Sequence, residues 1–239
     1  HTEILDEGST VSVTLLGREL TPADLVVIGS HCVGLDFLLG ELRKRGFTSR
    51  VLHVGSMGGA AAAKRGECDI AGVHLMNPAT EEYNRHLLTG SLELVPGYRR
   101  RQGVVFRLSD DRFEGRTAAD AIARANEDSG CSMINRNPGS GTRVLIDRLL
   151  RDVRPPGYNV QTKSHNAVAT AVVQGRADWG VAIDTVATAY GLGFLPLQDE
   201  HYDFIVPKAR LERPAVTAFK SLLSEPGIQQ RLAEMGFLT

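Results

Sequence analysis

A chain of 239 residues, 42% hydrophobic and 23% charged, is long enough to bury a substantial core as one large domain or two lobes. A net charge of −1 without a long single-sign block excludes the basic footprint of a nucleic-acid or anionic-membrane surface. No apolar stretch approaches the length of a membrane span. Val11–Leu16 alternates weakly and reads as an edge strand or a linker remnant within residues 1–24. Leu25–Ile28 is a short apolar run ending in Gly29-Ser30, as a buried parallel strand does when it enters a loop. Val33–Lys44 then has helical spacing and stops at Gly46. Arg50–Val54 reads as a strand, Met57–Lys64 as an Ala-rich helix, and Cys68–Leu75 as a third strand. This β-α-β-α-β order implies a parallel sheet with helices on its faces.

The pattern changes between Ser91 and Leu108, where Leu92–Val95 and Gln102–Phe106 read as two strands with no helix between them. The cationic run Arg99-Arg100-Arg101 lies in this segment and reads as a solvated strand edge. A second series follows: a strand at Met133-Ile134, a helix over Thr142–Leu150, and a strand over Tyr158–Thr162. It continues with a helix over His165–Val173 and a strand over Trp179–Ile183. Phe194–Leu197 and Tyr202–Val206 return the chain to the first part, and Arg213–Leu223 and Ile228–Met235 close it as helices. The fold class expected is therefore α/β: two parallel-sheet lobes, one inserted into the other, with a ligand cleft between them. Residues 25–100 plus 192–239 are expected to form lobe 1, and 101–191 lobe 2.

In open α/β sheets the ligand site lies beyond the carboxyl ends of the strands, at the N-termini of the following helices. Four segments put small polar residues there: Gly29-Ser30-His31, Gly55-Ser56-Met57-Gly58-Gly59, Gly139-Ser140-Gly141-Thr142-Arg143, and Ser164-His165-Asn166. Each offers unpaired backbone N–H groups and a hydroxyl at the positive end of a helix dipole, a combination that suits an anion. Singly, each is also what an ordinary N-cap or turn looks like. Arg143, in the first turn of a helix, opposes the dipole unless an anion is near; it either contacts a ligand or pairs with Asp147 at i+4. His31 and His165 lack a metal-ligand spacing, so hydrogen bonding is expected and no metal. His74 either faces the cleft or packs under it, and Tyr83 and Asn84 are ligand contacts or caps. No Gly-x-Ser-x-Gly elbow, Walker sequence or paired acid and base is present, so no enzyme and no cofactor is expected.

Several blocks together resemble a known family: Gly29–Cys32; Gly55–Gly59 through Gly66–Leu75; Asn135–Arg143; His165–Ala169; Gly175–Gly180; and Phe194–Leu197 with Glu200 and Tyr202. The chain resembles the periplasmic-binding-protein-like domain of the molybdopterin-biosynthesis/LysR substrate-binding type. That resemblance implies the type II binding-protein fold and a sensory or ligand-delivery role. A more distant likeness to molybdate- and tungstate-binding proteins implies oxyanion contacts at Ser30, Ser56, the Gly139–Thr142 turn, Asn166 with Ala167, and the loop at Asp184. The ligand-binding set expected is Ser30, His31, Ser56, Met57, Gly58, Gly139, Ser140, Gly141, Thr142, Arg143, His165, Asn166 and Asp184. The function expected is the ligand-sensing part of a helix-turn-helix transcription regulator whose DNA-binding part lies upstream, so that this segment itself does not touch nucleic acid. A periplasmic oxyanion receptor of an ABC transporter and a domain serving molybdenum-cofactor biosynthesis are the alternatives. The partners expected are a small-molecule or oxyanion ligand, no membrane and, for a regulator, a second copy of the chain. Cys32, Cys68 and Cys131 form neither a disulfide framework nor a metal cluster, and no leader pattern opens the chain. Both favour the cytoplasm, with the periplasm as alternative.

Overall fold

The structure, a computed structural model, describes residues 9–12, 21–77 and 79–238; most of the edge strand expected at Val11–Leu16 lies outside them. The first series is β1 (Leu25–Gly29), α1 (Val33–Lys44), β2 (Ser49–His53), α2 (Gly55–Arg65) and β3 (Ala71–Val73). β1 and β2 run parallel. On its other side β1 meets the β3 segment, with Ile28 N–H donating to the Ile70 carbonyl at 3.1 Å and Ser30 N–H to that of Gly72 at 2.9 Å. The spacing of Leu35, Leu38, Leu39 and Leu42 gives α1 one apolar face, and all four are buried.

Two 15-residue strands dominate the architecture: β4 (Leu92–Phe106) and, after the second series, β8 (Gly193–Pro207). They pair antiparallel from Leu92 opposite Pro207 to Phe106 opposite Gly193, with register shifts between Val95 and Tyr98 and between Gln102 and Gly103. From the sequence each reads as two strands, Leu92–Val95 with Gln102–Phe106 and Phe194–Leu197 with Tyr202–Val206. Here Pro96-Gly97 falls at a register shift, Gln198–His201 pairs in regular register with Arg99–Gln102, and each strand runs on as one ladder.

The second series is α3 (Ala118–Glu127), β5 (Met133–Arg136), α4 (Gly141–Leu150), β6 (Gln161–Thr162), α5 (His165–Val173), β7 (Trp179–Ile183) and α6 (Asp184–Ala189). The larger sheet has the order β3-β8-β4-β7-β5-β6. β5 is parallel to β6 and β7, whereas β4 is antiparallel to β7 and β8, and β8 to β3. The expected parallel pairing therefore holds inside each β-α-β unit, and the crossovers make the sheet mixed. Hydrophobic pattern marks a strand but not its direction relative to a neighbour distant in sequence. The α3 and α6 helices were not expected: α3 buries only Ala118, Ala121, Ile122 and Ala125, a faint stripe, and α6 is six residues long and follows β7 without a loop.

The helices α7 (Pro214–Ser224) and α8 (Pro226–Glu234), each with proline in its first turn, close the molecule over the first half. Their Val216, Phe219, Leu222 and Leu232 join α1, β1 and the Tyr202-to-Val206 part of β8 in the largest apolar cluster. Ala169, Ile183 and Val186 of the second series belong to the same cluster, so the halves share apolar contact on that side. A separate core around Phe106, Phe113, Met133, Ile146 and Trp179 fills the second half. No described helix is long and apolar enough to cross a membrane.

Phe219 is fully buried, with its ring edge-on to Phe204 at 4.9 Å between centroids. Replacing it with alanine should destabilise the fold by about 3–5 kcal/mol, read as a lower urea midpoint at unchanged slope.

Candidate functional site

The two halves meet where β3, β4, β5, β8 and the N-termini of α2, α4 and α5 approach one another. A Cβ at Gly141 would stand 2.4 Å from the His74 carbonyl oxygen, so only glycine lets the start of α4 seat against the end of β3. Beside it Gly139 adopts φ 82° and its carbonyl lies against Gly55.

A polar cluster is buried at this junction. His74 joins three elements: its Nε2 lies 2.8 Å from Ser30 Oγ, its Nδ1 3.0 Å from Glu200 Oε2, and its backbone N–H donates to Ser56 Oγ at 3.1 Å. Glu200 also accepts from Arg100 Nε, directly opposite it in the β4–β8 ladder, and from Gln102 Nε2. The Tyr202 hydroxyl donates to the Ser30 carbonyl at 2.5 Å, and the Arg100 guanidinium sits 4.8 Å above the Tyr202 ring centre. Across the junction, Arg136 at the end of β5 reaches Thr142 Oγ1 at 3.5 Å, the His165 ring at 3.2 Å and the Lys163 carbonyl at 3.3 Å.

The charges do not balance. The cluster holds two guanidinium groups, Arg100 and Arg136, against one carboxylate, Glu200. Burial is the largest influence and works against charge on Arg100, but Glu200 together with smaller contributions from other neighbours raises that pKa. Arg136 makes no hydrogen bond to a carboxylate; burial, reinforced by repulsion from Arg100 and only partly offset by Glu200, lowers its pKa to about 10. It remains a cation near neutrality. Burial and then Arg136 hold His165 well below its ordinary value; because a guanidinium only donates, the ring facing it is a neutral acceptor. Burial likewise lowers His74 against the pull of Glu200. A neutral His74 gives its Nδ1–H to Glu200 and accepts the Ser30 hydroxyl proton at Nε2. Ser56 and Thr142 keep their hydroxyl protons free, since in these contacts each acts as acceptor. Arg100 Nη1 and Nη2, Arg136 Nε and the Gln102 carbonyl oxygen are buried without a protein hydrogen-bond partner.

A cavity of about 280 Å³ opens onto this cluster, lined by Ser30, His31, His53, Val54 and Gly55 from one half and by Arg136, Asn137, Ser140 and Lys163 from the other. Of the residues expected to bind ligand, Ser30, His31 and Ser140 line it, while Ser56, Thr142 and His165 belong to the buried cluster. Ser140 is also the N-cap of α4, accepting from Arg143 N–H at 3.2 Å. Met57 and Gly141 line a second cavity of about 230 Å³ with Gln102, Val144 and Glu200. Gly58 packs on Val54. Asn166 and Asp184 line a third, with Val33 and Met235. Arg143 pairs with Asp147 at 2.8 Å and donates to the Tyr158 hydroxyl at 2.6 Å; of its two expected partners, the helix neighbour is the one in contact. Asn84 accepts from Leu75 N–H and donates to Asp203, and so braces the end of β3.

Arg100, Arg136 and Glu200 were not singled out as site residues. For Arg100 a signal existed: in an extended strand Tyr98, Arg100 and Gln102 share one face, opposite Arg99 and Arg101. All three are buried, so Arg99 and Arg101 are solvated as expected and Arg100 is not, and β4 lies inside the sheet between β8 and β7 rather than at an edge.

Two α/β halves joined by long crossover strands around a polar, donor-rich cleft define a bilobal small-molecule binding domain. The chain belongs to the periplasmic-binding-protein-like superfamily: the family model described as "PBP superfamily domain" matches residues 39–224. It is 29% identical over 222 residues, 88% of its length and 69% of the relative's, to the uncharacterized protein YvgK of Bacillus subtilis (strain 168). The fold is shared with the tungstate ABC transporter structure from Geobacter sulfurreducens (TM-score 0.60, 18% identity, 88% of this chain and 97% of that one). It is also shared with the effector-binding domain of QuiR in complex with shikimate (TM-score 0.58, 16% identity, 82% and 93%).

The Glu200 pKa is depressed to about 2: burial alone would raise it, and Arg100 followed by His74 and Gln102 overcomes that. A depressed carboxylate contributes stability that is fully present above its ordinary value of 4.5 and is lost as pH falls through about 2. Glu200→Gln should therefore be less stable than the native chain near neutrality, and the gap in urea midpoints should narrow across that window.

Proposed function

We propose that this chain is a closing receptor domain for a small anion, and that it serves as the ligand-sensing part of a cytoplasmic helix-turn-helix transcription regulator. Residues 25–100 with 192–239 act as one lobe and 101–191 as the other. The observation that carries the reading is the surplus buried cation, Arg136, with unsatisfied guanidinium donors in the same buried cluster and the Thr142 hydroxyl beside it. A buried charge without a partner is costly, and a buried donor left unpaired costs on the order of 1–3 kcal/mol. An anion entering from the cavity would remove both penalties. It would favour the closed arrangement only by as much as it prefers that arrangement to the open one. In a regulator, closure would be passed to a paired copy.

The likeness to a tungstate transporter structure supports a second reading, a periplasmic receptor that presents its closed form to a permease. The genomic context separates the two: a helix-turn-helix segment encoded ahead of this domain selects the regulator, a secretory leader the receptor.

Ligand class is read by titrating tungstate, molybdate, sulfate, phosphate and shikimate by calorimetry. For whichever binds, Arg136→Gln should weaken affinity about 10- to 100-fold, the range of a charge-assisted hydrogen bond. Ser56→Ala should cost about 1–2 kcal/mol, and Ser30→Ala less, because the Ser30 proton is already committed to His74. Undiminished affinity in Arg136→Gln would rule out the proposed site. Gly141→Ala should hold α4 away from β3 and lower affinity for any ligand that needs both lobes.

A further inference from the structure

The parallel register of β1 and β2 sets Gly29 opposite His53, and the chain continues from Gly29 through His31 into α1. Three side chains with metal-ligating atoms meet there. We propose that His31, Asp36 and His53 form a site for one divalent transition-metal ion of the zinc class, at the rim of the cavity that Arg136 also lines.

One ring nitrogen from each histidine and one carboxylate oxygen lie within 4.8 Å of one another. His31 Nε2 and Asp36 Oδ2 are 2.9 Å apart, and the two imidazoles stand edge-on with centroids 4.8 Å apart. A tetrahedral ion with bonds of about 2.1 Å holds its ligands roughly 3.4 Å apart, so the longest separation, within 4.8 Å, must close by up to about 1.4 Å. The groups can move that far: Asp36 and His53 are exposed, and no protein hydrogen bond fixes the His53 ring among the described residues. A histidine–aspartate ion pair accounts for His31 and Asp36 but gives no reason for an otherwise unheld His53 imidazole beside them. Buried His31 Nδ1 also lacks a partner, so that ring is not pinned from its other side.

Imidazole and carboxylate donors suit zinc, cobalt, nickel and copper ions rather than calcium or magnesium. Three protein ligands leave one position for water or for an external donor. Arg136 and Lys163 line the same cavity and oppose a further positive charge, while Asp36 offsets part of it. The site does not depend on the anion reading. A bound ion would, however, add to the positive charge that an anion meets.

The test uses the whole chain, freed of metal with a chelator and titrated with Zn²⁺ in chloride buffer by calorimetry, with Co²⁺ absorption reporting ligand geometry. One saturable ion per chain is expected. His53→Ala and Asp36→Asn should each weaken it at least about tenfold, since loss of even an outer partner commonly costs that much. Both positions are exposed, so far-ultraviolet dichroism should confirm an unchanged fold. No saturable binding to the native chain, or undiminished affinity in His53→Ala, overturns the proposal. No oxyanion is present in this titration, so a chain that binds tungstate but not zinc fails here alone, and one that binds zinc but no anion fails only the receptor reading.

Discussion

The Glu200 carboxylate is the contact around which the junction is organised. It accepts from Arg100 and Gln102 on β4 and from His74 at the end of β3, and through His74 it reaches Ser30 and Ser56. Each partner would be expensive to bury alone. Together they form a network in which most polar atoms are satisfied, leaving a few guanidinium donors and one amide oxygen. Arg136 stands just outside this balance. Its charge is buried against groups that can accept hydrogen bonds but carry no negative charge, and that asymmetry is what the proposed anion would answer.

In the proposed receptor the same asymmetry would couple binding to shape. With the halves apart, water could solvate Arg136 at little cost. With the halves together, as Gly141 against His74 holds them here, that solvation is lost, and on the proposed reading an anion takes its place. The device needs a rigid frame, which the antiparallel pair β4–β8 provides by running unbroken from the first core to the second. Register shifts on either side of Tyr98–Gln102 bracket a regularly paired stretch in which Arg100 stands opposite Glu200.

The fold alone does not choose between transport and regulation. Chains of one architecture serve as a tungstate transporter component and as a shikimate-binding effector domain at 16–18% identity to this one, a level at which shape is shared and ligand chemistry is not. What distinguishes this cleft is its own arginine and histidine content, together with the histidine–aspartate group at its rim.

Much of the fold was legible in the residues. Period-3.6 runs at Val33–Lys44 and His165–Val173 and the apolar run at Trp179–Ile183 give those elements their observed bounds, because local pattern and burial agree there. Ser30, Ser56 and Thr142 could be placed near one site because the carboxyl end of a strand leading into a helix is a local feature with a general geometric meaning. The pairing of Arg100 with Glu200 spans 100 positions, and that of His74 with Glu200 spans 126. The turn of Asn166 and Asp184 toward a separate cavity, and the turn of Arg143 toward Asp147, were equally undetermined by the chain alone. Local spacing specifies which face of an element is apolar. Which charges share a buried space, and whether they cancel, follows only from how distant strands are laid side by side.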